Sequence, residues 1–159
     1  MKKTLKIMLF RMWAAGAVCF FAAWGRAAPQ DSEMENVAAA FSFNLITGLI
    51  IVMILCDMLI VNPIIRLVEG KRLLGERKGI MSILWLPLNI VKVTALILLV
   101  VVTYYFINTS FIRIFAMDEK SVPVPLEPVL FGVFYGLYWL LFEITGKFLN
   151  GRFYGKPVS

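Results

Sequence analysis

Residues Ile90 to Ile107 read I-V-K-V-T-A-L-I-L-L-V-V-V-T-Y-Y-F-I, an apolar run interrupted by a single charge, Lys92. A bilayer core of ~30 Å takes ~20 helical residues at ~1.5 Å each. Without water, only a helix or a closed barrel satisfies every backbone group. The stretch therefore predicts a membrane-spanning helix, and the rest of the chain must accommodate it. Of the 159 residues, 60% are hydrophobic, whereas soluble domains lie nearer half. A chain this short has room for one small bundle in lipid, not for a bundle and a soluble catalytic domain.

The segments before and after the run fit the same solvent. Residues 1–27 have the parts of a secretory signal: Lys2, Lys3 and Lys6, an apolar Met12 to Trp24, and a small-x-small site at Gly25-Arg26-Ala27. Arg26 is atypical beside a cut, and an uncleaved leader would add a helix. Residues 28–40 form a short acidic tail with Asp31, Glu33 and Glu35. A first transmembrane helix is expected over 41–62, ended or kinked by Asn62-Pro63.

Residues 63–83 carry Arg66, Lys71, Arg72, Arg77 and Lys78 against Glu69 and Glu76, with interleaved apolar positions. They read as an amphipathic loop at the cytoplasmic headgroups, whose basic excess fixes orientation. The alternative is a docking site for anionic lipid or a cytoplasmic partner. The second helix is expected over 84–107, with Trp85 and Tyr104-Tyr105 as interfacial aromatics. An outside loop follows at 108–127, with Phe111 to Phe115 along the surface and a stiff, extended Val122-Pro123-Val124-Pro125. The third helix is expected over 128–148, opening on a proline, and 149–159 is a basic cytoplasmic tail.

The fold class is thus all-α: a polytopic membrane protein with three transmembrane helices after a signal peptide, or four if the leader stays. The expected location is a bacterial inner membrane, with the mature N-terminus outside and the C-terminus in the cytoplasm.

Three ionisable residues fall inside the predicted spans: Asp57, Lys92 and Glu143. Each costs about 2.5 to 3.5 kcal/mol to insert and should face protein or water. Asp57 lies five residues before Asn62 and Lys92 five after Pro87. On antiparallel helices, both then sit about 8 to 14 Å from the cytoplasmic end, and an Asp57–Lys92 ion pair is expected. Lys92 shares a helical stripe with Asn89, Leu99 and Thr103. Glu143 shares a face with Gly132 and Gly136, a small-xxx-small pair that permits close helix approach, and it has Lys147 at i+4. These charges either lock the bundle's register or line a path for protons or ions. Three helices can hardly enclose a pore, which favours the first.

Several function classes are excluded or disfavoured. There is no histidine, so imidazole metal sites and Ser-His or Cys-His catalysis are out. Cys19 lies in the leader and Cys56 in a helix, so no framework disulfide is expected. No paired acids or phosphate loop occur. The formal charge of +6 is concentrated in residues 1–27; from residue 28 on, 11 basic residues face 10 acidic ones. Nucleic acid is not an expected partner. The expectation is a non-catalytic accessory or structural subunit of a larger envelope complex for secretion, transport or respiration, without metal or cofactor. Its partners would be lipid and other membrane subunits, or further copies of itself. The alternatives are an ion-coupled component using Asp57, Lys92 and Glu143, and a holin-like pore former.

Overall fold

The computed structural model describes residues 2–24, 43–68, 80–118 and 122–153. The acidic segment, the loop positions Lys71, Arg72, Arg77 and Lys78, and residues 154–159 lie outside the described residues, as do the side chains of Trp85 and Lys147. The described secondary structure is entirely helical: α1 (Lys2–Trp24), α2 (Phe43–Cys56), a π-helical turn (Asp57–Val61), α3 (Asn62–Val68), α4 (Ile80–Phe115) and α5 (Pro128–Phe153). Four helical stretches are long and apolar enough to cross a membrane: one in α1, one running through α2, the π turn and α3, one in α4 and one in α5.

The first correction concerns the end or kink expected at Asn62-Pro63: the helix does not end there. Pro63 lacks an N–H and cannot serve the carbonyl four residues back. The chain widens one turn ahead of it instead. The Asn62 N–H reaches five residues back to the Asp57 carbonyl, and the helix then continues to Val68. The second correction concerns 108–115, expected in an outside loop. These residues extend α4, which is closed by Ala116 at φ 48° and by an N–H···O bond of 3.1 Å from Met117 to Ile112. This is the Schellman arrangement, with alanine where glycine is usual. Likewise, α5 extends to Phe153 instead of stopping at 148.

The helices form a ring in which α1 packs on α2, α2 on α4, α4 on α5 and α5 on α1, the last contact being the most extensive. Around the ring the core repeats at helical spacing: Ala15 and Cys19; Leu49 and Met53; Val93, Leu96, Ile97, Val100 and Tyr104; Phe131, Tyr135 and Trp139. Phe131 and Tyr135 stack at 6.5 Å along α5, and Tyr104 meets Phe134 edge to face at 5.7 Å. The outward positions are equally apolar, including Trp13, Phe21, Leu59, Val91, Phe106 and Val129. Large apolar side chains on both faces are what a helix needs when its outer solvent is lipid.

Tyr104 departs from its expected place in an aromatic belt. It is buried, and its hydroxyl donates to the Glu127 carbonyl at 3.2 Å. Tyr105, one position on, is the exposed one.

The short connection before α5 is pinned rather than free. Buried Asn108 accepts from the Val124 N–H at 2.8 Å and donates to the Val124 carbonyl at 3.0 Å, with a further bond to the Tyr104 carbonyl at 3.0 Å. Glu127 then opens α5 by accepting from the Phe131 N–H at 2.8 Å. Two prolines leave this segment few donors of its own, so a buried asparagine amide, with donor and acceptor side by side, replaces a strand partner.

Candidate functional site

Buried Asn108 stands at the α4–α5 connection; a second polar set, around Asp57, gathers on the opposite side of the bundle. Asp57 sits at the start of the π turn and is almost fully buried. Its carboxylate takes an ion pair from Arg11 of α1. It also accepts the Asn62 amide at 2.9 Å and the Asn89 amide of α4 at 3.0 Å. Arg11 closes the circuit by donating to the Asn62 side-chain oxygen at 3.1 Å. The wide turn is the reason Asp57 and Asn62 can meet, because it brings residues five apart onto one side. One carboxylate thus gathers three donors, from α1, α3 and α4.

The expected Asp57–Lys92 pair is therefore corrected: the ion partner of Asp57 is Arg11. The reason is geometric as well as chemical. A guanidinium offers a fixed planar fork whose two terminal nitrogens serve Asp57 and Asn62 side by side. On α4 the residue turned to Asp57 is Asn89, one turn before Lys92. The Lys92 ammonium lies over two aromatic rings of α5, 5.7 Å from the Trp139 centroid and 6.0 Å from that of Phe142. Arg11 approaches the same Trp139 ring at 5.2 Å. The indole is thus shared by two cations, an arrangement that draws on its negative face.

Glu143 is partly buried one turn beyond Trp139, and together with Arg11 and Asp57 it is a charged neighbour of Lys92. Arg66 stands in the last turn of α3, away from this cluster in sequence. Of the stripe read through Lys92, Thr103 turns to α5, where its hydroxyl lies 2.5 Å from that of Tyr138, while Leu99 is exposed.

Gly132 and Gly136 form a notch that is already filled by α1. A Cβ on Gly132 would collide with the Met12 carbonyl, and one on Gly136 with the Met12 side chain. Gly16 of α1 answers them, since a Cβ there would lie 3.0 Å from the Pro128 carbonyl oxygen. Helices α1 and α5 therefore run antiparallel at a separation that only glycine permits at these points.

Sequence reasoning missed Arg11 and Asn108. Arg11 carried a signal, as a lone charge in the apolar run Ile7 to Trp24, but it was assigned to a leader. Asn108 carried one too, lying four residues after Tyr104 on the buried face of α4.

The Tyr135 hydroxyl and the Arg11 Nε are buried without a hydrogen-bond partner among the described residues. Beyond this level the bundle closes: Leu96, Ile97, Val100, Tyr104 and Phe131 are essentially inaccessible. Comparison with protein-family models, with curated proteins and with solved structures returned no match. Among the described residues no group of three or more acids or cysteines could hold a metal ion, and Cys19 and Cys56 are both free thiols.

Proposed function

We propose that the protein is a small integral subunit of the bacterial inner membrane, a non-catalytic accessory or structural component of a larger envelope complex. The observation that carries this reading is the state of Asp57. Its oxygens are occupied by Arg11, Asn62 and Asn89, and the layer above it is packed with apolar side chains. A carboxylate that relays protons needs an open approach and an exchangeable partner. One held by three donors under a sealed core acts as a staple between helices.

The reading includes α1 as a permanent helix rather than a removed leader. Cutting it away would leave Asp57 without its counter-charge and expose the glycine notch of α5. With α1 retained, Lys2, Lys3 and Lys6, the basic 63–83 segment and Arg152 with Lys156 all fall on the cytoplasmic side, in keeping with the positive-inside rule. The N-terminus would then be cytoplasmic, not outside.

The test is gentle detergent purification of the full chain at native expression, with size and composition of the resulting particle determined. The reading expects a particle of defined stoichiometry larger than the protein alone. A lone protein that conducts ions or protons when reconstituted in vesicles would support the ion-coupled alternative instead.

A further inference from the structure

Lys92 is a cation inside a membrane-length helix, and among the described residues its close side-chain contacts are aromatic rings. Among the described residues it makes no ion pair: Asp57 is taken by Arg11, and Glu143 acts on Lys92 only as a charged neighbour. The ammonium is held against Trp139 and Phe142. Rings alone return about 0.5 to 2 kcal/mol, less than the insertion cost of a lysine. The surface around it is open and apolar, with Leu88, Val91 and Phe142 exposed. Lys92 itself is partly accessible.

We infer that this α4–α5 surface docks a transmembrane helix of a partner subunit, and that Lys92 receives an Asp or Glu carboxylate from that helix. The proposal rests on the accessory-subunit reading and names the chemistry of its partner. Charge complementarity selects the occupant. Lys92 lies five residues, about 8 Å, inside Pro87, where the apolar span of α4 begins, and it is level with the Arg11–Asp57 pair through Asn89 and Trp139. A headgroup phosphate would have to be drawn below its own plane to reach it, and the experiment separates that occupant from a helix. A carboxylate on a neighbouring helix is already at that depth, and pairing there satisfies both charges away from water.

The experiment places a photo-crosslinking amino acid at Leu88 or Val91 in the full-length chain, in membranes from the native host. It compares Lys92 with Lys92→Arg and Lys92→Met. The expected adduct is one membrane protein, mapped to a transmembrane peptide with an Asp or Glu within about one turn of the crosslink. Its yield should fall about tenfold or more in Lys92→Met and persist in Lys92→Arg, as for loss of a charge-assisted hydrogen bond. Exchanging the charges, Lys92→Glu with the partner's acid changed to lysine, should restore the adduct, which guards against a folding defect in a single variant. Adducts only to phospholipid, adducts to a peptide without an acid, or yields equal in Lys92→Met overturn the inference. If Lys92→Met still purifies within the same larger particle, the accessory reading stands and only this contact falls. A protein that crosslinks to nothing and runs alone overturns both.

Discussion

Asp57 is the residue on which most of the bundle depends, because a buried charge is stable only while its partners are in place. Removing one member of a buried pair leaves the other uncompensated, at about 3 to 5 kcal/mol, whereas replacing both by apolar residues is often nearly neutral. Arg11→Met or Asp57→Leu alone should therefore lower stability in detergent by about 3 kcal/mol. The double variant should recover most of that loss, giving a large coupling in a double-mutant cycle. Thermal unfolding of the four proteins measures it, and additive losses would show that the two side chains do not act as a unit. Asn108 invites a parallel substitution. Asn108→Leu strips both backbone partners from Val124, so stability should fall by about 1 to 3 kcal/mol. Protease cleavage between 116 and 127 should rise, as limited proteolysis would read.

At this scale the sequence showed which residues were dangerous to bury but not how they pair. Asp57, Lys92 and Glu143 were visible because each breaks an apolar run. Arg11 breaks one as well, yet the grammar of a signal peptide and that of a first transmembrane helix overlap in a basic start and a short apolar stretch. Once α1 was read as removable, Lys92 became the obvious partner for Asp57. The guanidinium fork and the wide turn that aims Asn62 at Asp57 have no signature in spacing alone.

The elements were legible from hydropathy, their ends less so. Apolar runs located α2, α4 and α5, and Pro128 opens α5 at its first position. Of the end or kink expected at Asn62-Pro63, the end does not occur, because a π turn absorbs the missing donor and the helix continues. Residues 108–115, expected in an outside loop, continue α4; Asn108 faces inward and binds the chain that follows. The occupant of the glycine notch, which no spacing rule names, is α1. Gly132→Ala sets a methyl against the Met12 backbone, which cannot swing aside, so it should destabilise the bundle by about 1 to 3 kcal/mol. Gly136→Ala meets only the Met12 side chain and should cost less. Gly48→Ala, with nothing within 4 Å of the added carbon, serves as the control and should leave the melting temperature unchanged or slightly raised, since alanine is the better helix former. Equal losses at all three positions would contradict the close approach of α1 and α5.

For the whole molecule, the described residues hold four helical stretches of membrane-crossing length, the count expected from the sequence if the leader stays. Without α1, Asp57 would lose its counter-charge and the α5 notch its occupant; with it, the helices close a ring in which the Asp57 carboxylate is held by Arg11, Asn62 and Asn89 and whose outside is apolar. The ring presents an apolar outer surface on which Lys92 is partly accessible; on the proposed reading, that surface suits a component that others assemble upon. Everything in that description requires α1 to remain on the chain. Intact-mass spectrometry of the protein extracted from membranes of cells expressing the full sequence measures this directly. The account predicts a single species that retains residues Lys2 to Trp24. A mature product beginning at Ala28 would contradict it.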